Sequence, residues 1–194
     1  MGKNRLEAFS DGVIAIIITI MVLEMKIPHG DSVATLAPLL PVFISYVLSF
    51  VYVGIYWNNH HHMLHACARV TGGILLANLH LLFLLSLFPF VTGWMGENHF
   101  APVPSALYGG VLLAAAFAYL ILQQAIIASQ GSDSRLKAAI GRDWKGKLSP
   151  VLYLCAIIST FLWLWVAQVL YVVTAILWLV PDRRIEKSLH GDRA

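Results

Sequence analysis

Three polar residues stand at the start of the first apolar stretch of the chain: Arg5, Ser10 and Asp11. The residues that follow, 12–23, are apolar enough to belong to a membrane-spanning helix. Charged groups in or beside the hydrocarbon of a bilayer are costly, and those found there usually serve a function. Such groups hold neighbouring helices together or line a path for water and ions. The sequence therefore predicts a first helix that does more than anchor the chain.

The second place where chemistry is possible is a cluster of four histidines: His60, His61, His62 and His65. His61 and His65 are four residues apart, a spacing that puts two imidazoles on one face of a helix and suits a metal ion. Apart from Cys67, no acid or cysteine lies near enough in sequence to complete an obvious zinc site. We therefore predict no metal site and interpret the cluster as the polar end of a helix, bonded to neighbouring helices.

A third group of polar residues, Asn78 and His80, lies in a later apolar stretch. We place both near the same end of the molecule as Ser10 and Asp11, so that they can meet across helices. A hydrogen bond between membrane helices contributes about 0.5–2 kcal/mol. The sequence contains no Walker A, GxSxG or TVGYG-like motif, which disfavours nucleotide hydrolysis, serine hydrolysis and a carbonyl selectivity filter.

The composition decides which elements must position these residues. Of the 194 residues, 59% are hydrophobic and only 12% are charged, whereas a soluble domain has about 25% charged residues. The chain is therefore predicted to be an all-α membrane protein, with residues 1–194 forming one domain. The net charge of +3 is too small to indicate a nucleic-acid partner. Two isolated cysteines do not form a disulfide framework.

Turn-forming residues divide the chain into six predicted spans. The uncharged stretch 149–180 would form a single helix of about 48 Å, much longer than a bilayer core of about 30 Å. Two short spans with a turn near 162–166 fit this stretch better. The predicted spans are 6–27, 36–57, 73–95, 104–129, 148–163 and 165–181.

The positions of the basic residues orient these spans. If the N-terminus is inside, the inner segments hold every lysine and arginine except Lys26, which is twelve of the thirteen. This bias follows the positive-inside rule and predicts that both termini are cytoplasmic. Because both termini lie on one side only when the number of spans is even, the charges favour six spans over five.

The motif Arg5-x-x-x-Phe9-Ser10-Asp11 at the start of a first membrane helix resembles the signature of the transmembrane protein 175 family, the endolysosomal potassium channels and their prokaryotic relatives. Three further segments resemble the same family: Tyr56-Trp57-x-x-His60-His61, Asn78 with Pro89-Phe90, and the ending Pro181-Asp182-Arg183-Arg184. The likeness covers nearly the whole chain. It matches the single six-helix repeat of prokaryotic members and not the doubled chain of the animal protein.

This resemblance implies a homotetrameric, potassium-selective cation channel of a prokaryotic plasma membrane, without enzymatic activity or cofactor. Its partners are the permeant potassium ion, the lipid bilayer and further copies of the chain. The first helix of each subunit lines a central pore that rings of large apolar side chains narrow. The polar residues of the motif tie this helix to its neighbours, and the residues of the resulting network are Arg5, Phe9, Ser10, Asp11, His60, His61 and Asn78.

On the same resemblance, the pore-lining and constriction positions fall to four residues of the first helix: Ile16, Thr19, Ile20 and Leu23. A helix rotated by one residue would instead bring Ile17 or Met21 into the pore. A ring of four isoleucines can close by dewetting, and four threonine hydroxyls can replace part of the hydration shell of an ion. Such weak coordination predicts modest selectivity.

Two other functions are compatible with parts of the sequence. A small secondary transporter could use Ser10, Asp11 and His61, but it would need discontinuous helices or an internal repeat, and neither is evident. A membrane metal-dependent enzyme could use the cluster His60–His65. Stoichiometric zinc or iron in the purified protein would favour the enzyme.

Overall fold

In a computed structural model that describes residues 2–131, 134–140 and 143–179, the chain forms helices joined by short loops, with no strand among these residues. The all-α prediction is thereby confirmed. In chain order the helices are α1 (Lys3–Leu23), the 3-10 helix η1 (Val33–Leu39), α2 (Leu40–His65), α3 (Gly72–Leu85), α4 (Phe88–Glu97), α5 (Pro102–Gln130), α6 (Arg135–Ile140), α7 (Trp144–Ser159) and α8 (Leu164–Leu179).

Four helical segments of the described chain are long and apolar enough to cross a membrane. They are α1, the segment made of η1 and α2, the segment made of α3 and α4, and α5. The helices α7 and α8 have 16 residues each. They are joined by a turn at 160–163, slightly earlier than the turn predicted near 162–166. The predicted ending Pro181–Arg184 lies outside the described residues.

The helix α2 continues through the histidine cluster, although the sequence suggested an end at residue 57. No proline or glycine interrupts residues 58–65, and Asn59 donates a side-chain hydrogen bond to the carbonyl of Ile55, 2.8 Å away, within the helix. The helix ends at His65, where the backbone N–H of Ala66 bonds to the carbonyl of His62 at 3.1 Å. All four histidines therefore lie on the last two turns of a helix.

The predicted span 73–95 is interrupted at Ser86 and Leu87, between α3 and α4. Pro89 occupies one of the first two positions of α4, where its missing N–H costs nothing because the first N–H groups of a helix have no partner within it. The two helices nevertheless form one segment that can cross a membrane. The break divides the helix in two without ending the segment.

The helix α1 packs on α2, α3 and α4, while α5 packs on α3, α4 and α7, and α8 packs on α7 and α2. Tyrosines occupy the centre of the bundle, since Tyr52, Tyr108 and Tyr171 are each 1% exposed or less.

In the loop after α1, Nζ of Lys26 lies 2.8 Å from the carboxylate of Glu97, which raises the pKa of the lysine through a hydrogen bond and through its charge. This pair links the loop after α1 to the end of α4.

Candidate functional site

One face of α1 is packed against the rest of the chain. Its buried residues follow one another at intervals of three or four, which is the period of one helix face. They are Leu6, Ser10, Ile14, Ile17 and Met21, each at most 3% exposed. This face contacts α2, α3 and α4, so the subunit itself determines which side of α1 points outward.

The opposite face of α1 is free in the single chain. It contains the four residues that the sequence assigned to pore lining: Ile16, Thr19, Ile20 and Leu23. Their exposure is high for apolar side chains, with Ile16 at 58% and Leu23 at 79%. The alternative candidates Ile17 and Met21 lie on the buried face, 3% and 2% exposed. The structure therefore separates the two sets that the sequence could not separate.

Thr19 supplies the polar group on this free face. Its hydroxyl donates a hydrogen bond to the carbonyl oxygen of Ile16 at 2.9 Å, so its proton is used within the helix. The oxygen keeps its acceptor capacity toward the free side of α1. Hydroxyl oxygens that act only as acceptors are suitable ligands for a cation, and they cannot by themselves bind it tightly.

A chain of buried hydrogen bonds fixes the packed face of α1. The Ser10 hydroxyl donates to the carbonyl of Leu6 at 2.9 Å, and the Asn78 amide donates to the Ser10 oxygen at 3.0 Å. The carbonyl oxygen of the Asn78 side chain lies 2.7 Å from Nε2 of His60. All three side chains are at most 1% exposed. These hydrogen bonds thus connect α1, α3 and α2.

The direction of these hydrogen bonds follows from their first member. Because the Ser10 proton goes to a backbone carbonyl, Asn78 must donate to Ser10 with its amide nitrogen. The Asn78 carbonyl oxygen then faces His60 and can only accept, so Nε2 of His60 carries a proton. His60 is therefore a hydrogen-bond donor within the bundle, and this ring nitrogen is not free to bind a metal.

Asp11 binds Trp57, a partner that sequence reasoning did not assign to the network. The indole Nε1–H of Trp57 donates to Oδ1 of Asp11 at 3.0 Å, which joins α1 to α2 a second time. Arg5 and Phe9 are exposed and lie on the same side of α1 as Ile16. The backbone N–H of Arg5 bonds to the carbonyl of Gly2, and within the described residues its guanidinium makes no ion pair, so its predicted part in the network is not seen in a single chain.

The remaining histidines form a row of rings next to Trp57. The ring of His61 contacts the ring of Trp57, with centroids 6.2 Å apart, and is stacked on the ring of His65 at 6.4 Å and 18°. His62 contacts His61 at 5.6 Å. At the end of the row, Nζ of Lys3 donates to the backbone carbonyl of His65 at 2.7 Å. Through Trp57, the ring of His61 is thus connected to Asp11 and α1.

Cys67, the one nearby residue that could have completed a zinc site with these histidines, is not suited to bind a metal. Cys67 is 2% exposed, and its thiol donates to the carbonyl of Arg69 at 3.4 Å. Burial raises the pKa of the Cys67 thiol, so the thiolate that would bind a metal is disfavoured. Among the described residues, no three His, Cys, Asp or Glu side chains come together as a metal site.

A second polar cluster, which sequence reasoning missed, lies deeper in the bundle. The Thr92 hydroxyl donates to Ser49 at 2.7 Å, and Ser49 lies 3.0 Å from the hydroxyl of Tyr108. The hydroxyl of Tyr171 donates to the carbonyl of Ser105 at 2.9 Å. These bonds join α2, α4, α5 and α8. The signal was present in the sequence as tyrosines within apolar stretches, because a buried tyrosine needs a partner for its hydroxyl.

Comparison with known proteins gives one consistent family. Residues 5–89 match the sequence model described as endosomal/lysosomal potassium channel TMEM175. A potassium channel of Chryseobacterium sp. (strain P1-3) is 54% identical over 189 residues, which cover 97% of this chain and 98% of that one. The bovine endosomal/lysosomal proton channel TMEM175 is 36% identical over 90 residues, 40% of this chain and 19% of that one.

A solved structure agrees with these sequence comparisons. The crystal structure of a lysosomal potassium-selective channel TMEM175 homolog from Chamaesiphon minutus superposes on this chain with a TM-score of 0.81 and 30% sequence identity. The match covers 94% of this chain and 97% of that chain. The likeness therefore extends over α1 and over the helices that anchor it.

Proposed function

This chain belongs to the TMEM175 family, and from that premise we propose that four copies of it form a potassium-selective channel whose central pore is lined by α1. The family and the relatives described above are ion channels and not enzymes. The helices and the family membership make the chain a multi-pass membrane protein. The resemblance inferred from the motif at Arg5–Asp11 is thereby confirmed at the level of the family.

The observation that carries the proposal is the asymmetry of α1. One face is anchored by α2, α3 and α4, whereas the opposite face presents Ile16, Thr19, Ile20 and Leu23 to the outside of the single chain. Copies arranged around a symmetry axis would enclose these side chains and remove them from lipid. A single chain with one free helix face cannot enclose a path, so the proposal requires an oligomeric ring.

The chemistry of this face suits a gated cation path. A ring of Ile16 side chains would close by dewetting, because a narrow apolar constriction excludes water and therefore ions. The Thr19 oxygens, whose protons are bound to the Ile16 carbonyls, would offer acceptors to a passing ion. Potassium loses its hydration shell more readily at such weak sites than a smaller ion does, so we expect modest selectivity.

The buried hydrogen-bond network is proposed to fix the rotation of α1 about its axis. Turning α1 by one residue would rotate it by about 100°, which would withdraw Ser10 from Asn78 and expose Ile17 and Met21. The hydrogen bonds from Ser10 to Asn78 and from Trp57 to Asp11 oppose that rotation. The polar motif is therefore proposed to hold the pore helix in register, and the ions to meet the residues of the free face.

The proposed topology has six spans per subunit and both termini in the cytoplasm. It places α7 and α8 as a short pair of spans, and it leaves twelve of the thirteen lysines and arginines on the inner side. The positive-inside rule supports this orientation. We propose the plasma membrane of a prokaryote as the location, in keeping with the bacterial relatives whose full length the chain matches.

Potassium flux into liposomes tests the proposal. Purified protein is reconstituted, and flux is followed under a potassium gradient that valinomycin calibrates. We expect flux from the unaltered chain, and a changed rate from Ile16→Ala because it removes the proposed constriction. The matched control is Ile176→Ala on α8, since Ile176 has nearly the same exposure, 54% against 58%. Liposomes that remain tight to potassium would contradict the channel, and equal effects of both variants would contradict the pore face.

A further inference from the structure

The row of rings at the end of α2 is not used by the proposed pore, yet it contains a chelating pair. His61 and His65 are separated by one helical turn, and their rings are stacked at 6.4 Å with an angle of 18°. Both side chains are exposed. His60, by contrast, is buried and holds Asn78 at 2.7 Å, so the two exposed imidazoles are chemically distinct from it.

We propose that His61 and His65 form a reversible binding site for a borderline divalent transition-metal ion such as Zn²⁺ or Ni²⁺, and that this site acts on the contact between Trp57 and α1. Imidazole nitrogens bind these ions, and two histidines four residues apart on a helix can bind one ion together. Within the described residues no third protein ligand joins the pair, so water completes the coordination. A site with two protein ligands exchanges its metal easily, which suits regulation and not structure.

Closing the site requires the rings to move. Each metal–nitrogen bond is about 2.0–2.1 Å long, so the two ligating nitrogens must come within about 4 Å of each other. The stacked rings, with centroids 6.4 Å apart, must therefore tilt toward the shared ion. The ring of His61 also packs against Trp57, with centroids 6.2 Å apart and an angle of 30°. Movement of His61 consequently changes the packing of the indole.

Trp57 passes this change to α1. Its indole N–H bonds to Asp11 at 3.0 Å, and Asp11 lies on α1 directly after Ser10. Three successive contacts thus lead from an exposed surface to the helix that is anchored by the buried network. The charges around the site do not exclude a cation, because Lys3, which bonds to the His65 carbonyl, is also 3.9 Å from Glu7.

Calorimetric titration of the detergent-solubilised protein with Ni²⁺, after removal of any polyhistidine tag, tests binding. We expect one ion per chain, and at least tenfold weaker binding in His61→Ala and in His65→Ala. The control is His80→Ala, which removes an exposed histidine of α3. Unchanged affinity in both cluster variants, or equal loss in the control, would overturn the site. The measurement does not involve ion conduction, so its failure leaves the proposed channel untouched.

The effect on Trp57 is tested by NMR of protein labelled with ¹⁵N-tryptophan, using diamagnetic Zn²⁺. The chain has six tryptophans, and Trp57→Phe identifies the indole signal of Trp57. We expect Zn²⁺ to shift this signal much more than the other five, and the shift to vanish in His61→Ala. Binding that leaves the Trp57 signal in place would overturn the connection to α1.

Discussion

Asn78 is the residue on which the position of α1 depends most directly. Its amide group bonds to Ser10 on α1 and to His60 on α2, and it is fully buried itself. An amide can serve both partners because it has a donor and an acceptor on one planar group. An ionised aspartate would have no donor for Ser10, and leucine would satisfy neither partner.

Replacement of Asn78 is therefore expected to destabilise the protein. Asn78→Leu leaves the Nε2–H of His60 without its acceptor, and a buried polar group without a partner costs about 1–3 kcal/mol. The midpoint of thermal unfolding, followed for the detergent-solubilised protein, should fall. Asn98→Leu is the matched control, because Asn98 follows α4 directly, is exposed, and donates its side-chain hydrogen bond to the nearby Trp94 carbonyl.

A double-mutant cycle separates the network from general packing. If Asn78 acts through Ser10, the effect of Asn78→Leu should be smaller in a Ser10→Ala background, because the partner is already gone. Strictly additive effects would contradict a shared hydrogen-bond chain. The comparison uses only unfolding measurements and so does not depend on channel activity.

For single residues, the sequence indicated some of the side-chain hydrogen bonds between helices and not others. Ser10, His60 and Asn78 were recognisable because polar residues within apolar stretches need partners. The partnership of Trp57 with Asp11 was not, because the register of α1 against α2 depends on packing along both helices. Arg5 was expected in the network, and in the single chain it faces outward with the free side of α1.

Among the elements, α5 packs tightly against α7 and α8 at a glycine. A Cβ atom on Gly109 would collide with the hydroxyl of Tyr171 and would lie 2.8 Å from Cγ1 of Ile157. The next residue, Gly110, has open space where its Cβ would be, with nothing within 4 Å. Two adjacent glycines of one helix thus have opposite surroundings.

These neighbours give a paired prediction. Gly109→Ala should lower the unfolding midpoint, because overpacking of a tight contact costs about 1–3 kcal/mol. Gly110→Ala should leave the midpoint unchanged or raise it, since alanine is favoured over glycine within a helix by about 1 kcal/mol. Differential scanning fluorimetry of both variants measures the difference. A greater loss for Gly110→Ala would show that α5 does not meet α8 in this register.

The sequence identified where apolar helices exist more reliably than where they end. Pro28 and Gly30 predicted the end of the first helix within a few residues, because both are poor helix formers. The polar residues 58–62 suggested a loop, but residues at a helix end can remain helical when their polar side chains reach water or neighbouring helices. The break before Pro89 could not be predicted from the sequence. A proline in the first turn of a new helix and a proline that kinks one long helix have the same sequence pattern.

At the scale of the whole molecule, the free face of α1 predicts how copies meet. With Cys155 replaced by serine and Cys67 buried, Leu23→Cys adds one accessible thiol on the proposed pore face. A short bifunctional thiol reagent should then link chains into dimers, because each chain has one accessible thiol and each reagent molecule joins two. The control is Val173→Cys on α8, where an exposed residue lies away from that face. Denaturing gel electrophoresis measures the products, and equal linking of both variants would contradict assembly around α1.

Hydropathy alone was sufficient to predict a helical membrane protein. A chain with 59% hydrophobic residues lies largely in the bilayer, where a helix lets its backbone N–H and C=O groups form all their hydrogen bonds. The choice of Ile16 over Ile17 for the proposed pore came from the family resemblance, since the two residues are chemically the same. Their separation needed the packed partners of α1, which bury Ile17 and leave Ile16 exposed. The side chains of α2, α3 and α4 therefore decide which isoleucine is available to line the proposed pore.

In the proposed six-span topology, the shortness of α7 has a consequence for the lipid. Its 16 residues extend about 24 Å, less than the hydrocarbon thickness of about 30 Å. The turn that follows exposes Phe161, Leu162 and Trp163, so its apolar groups favour the membrane interface over water. Hydrophobic mismatch of this kind costs a fraction of a kcal/mol per ångström and is relieved when the bilayer thins around the protein. In this topology the acyl-chain length of the lipid affects the energy of the protein in the membrane, because a thin bilayer matches the length of α7 without deformation.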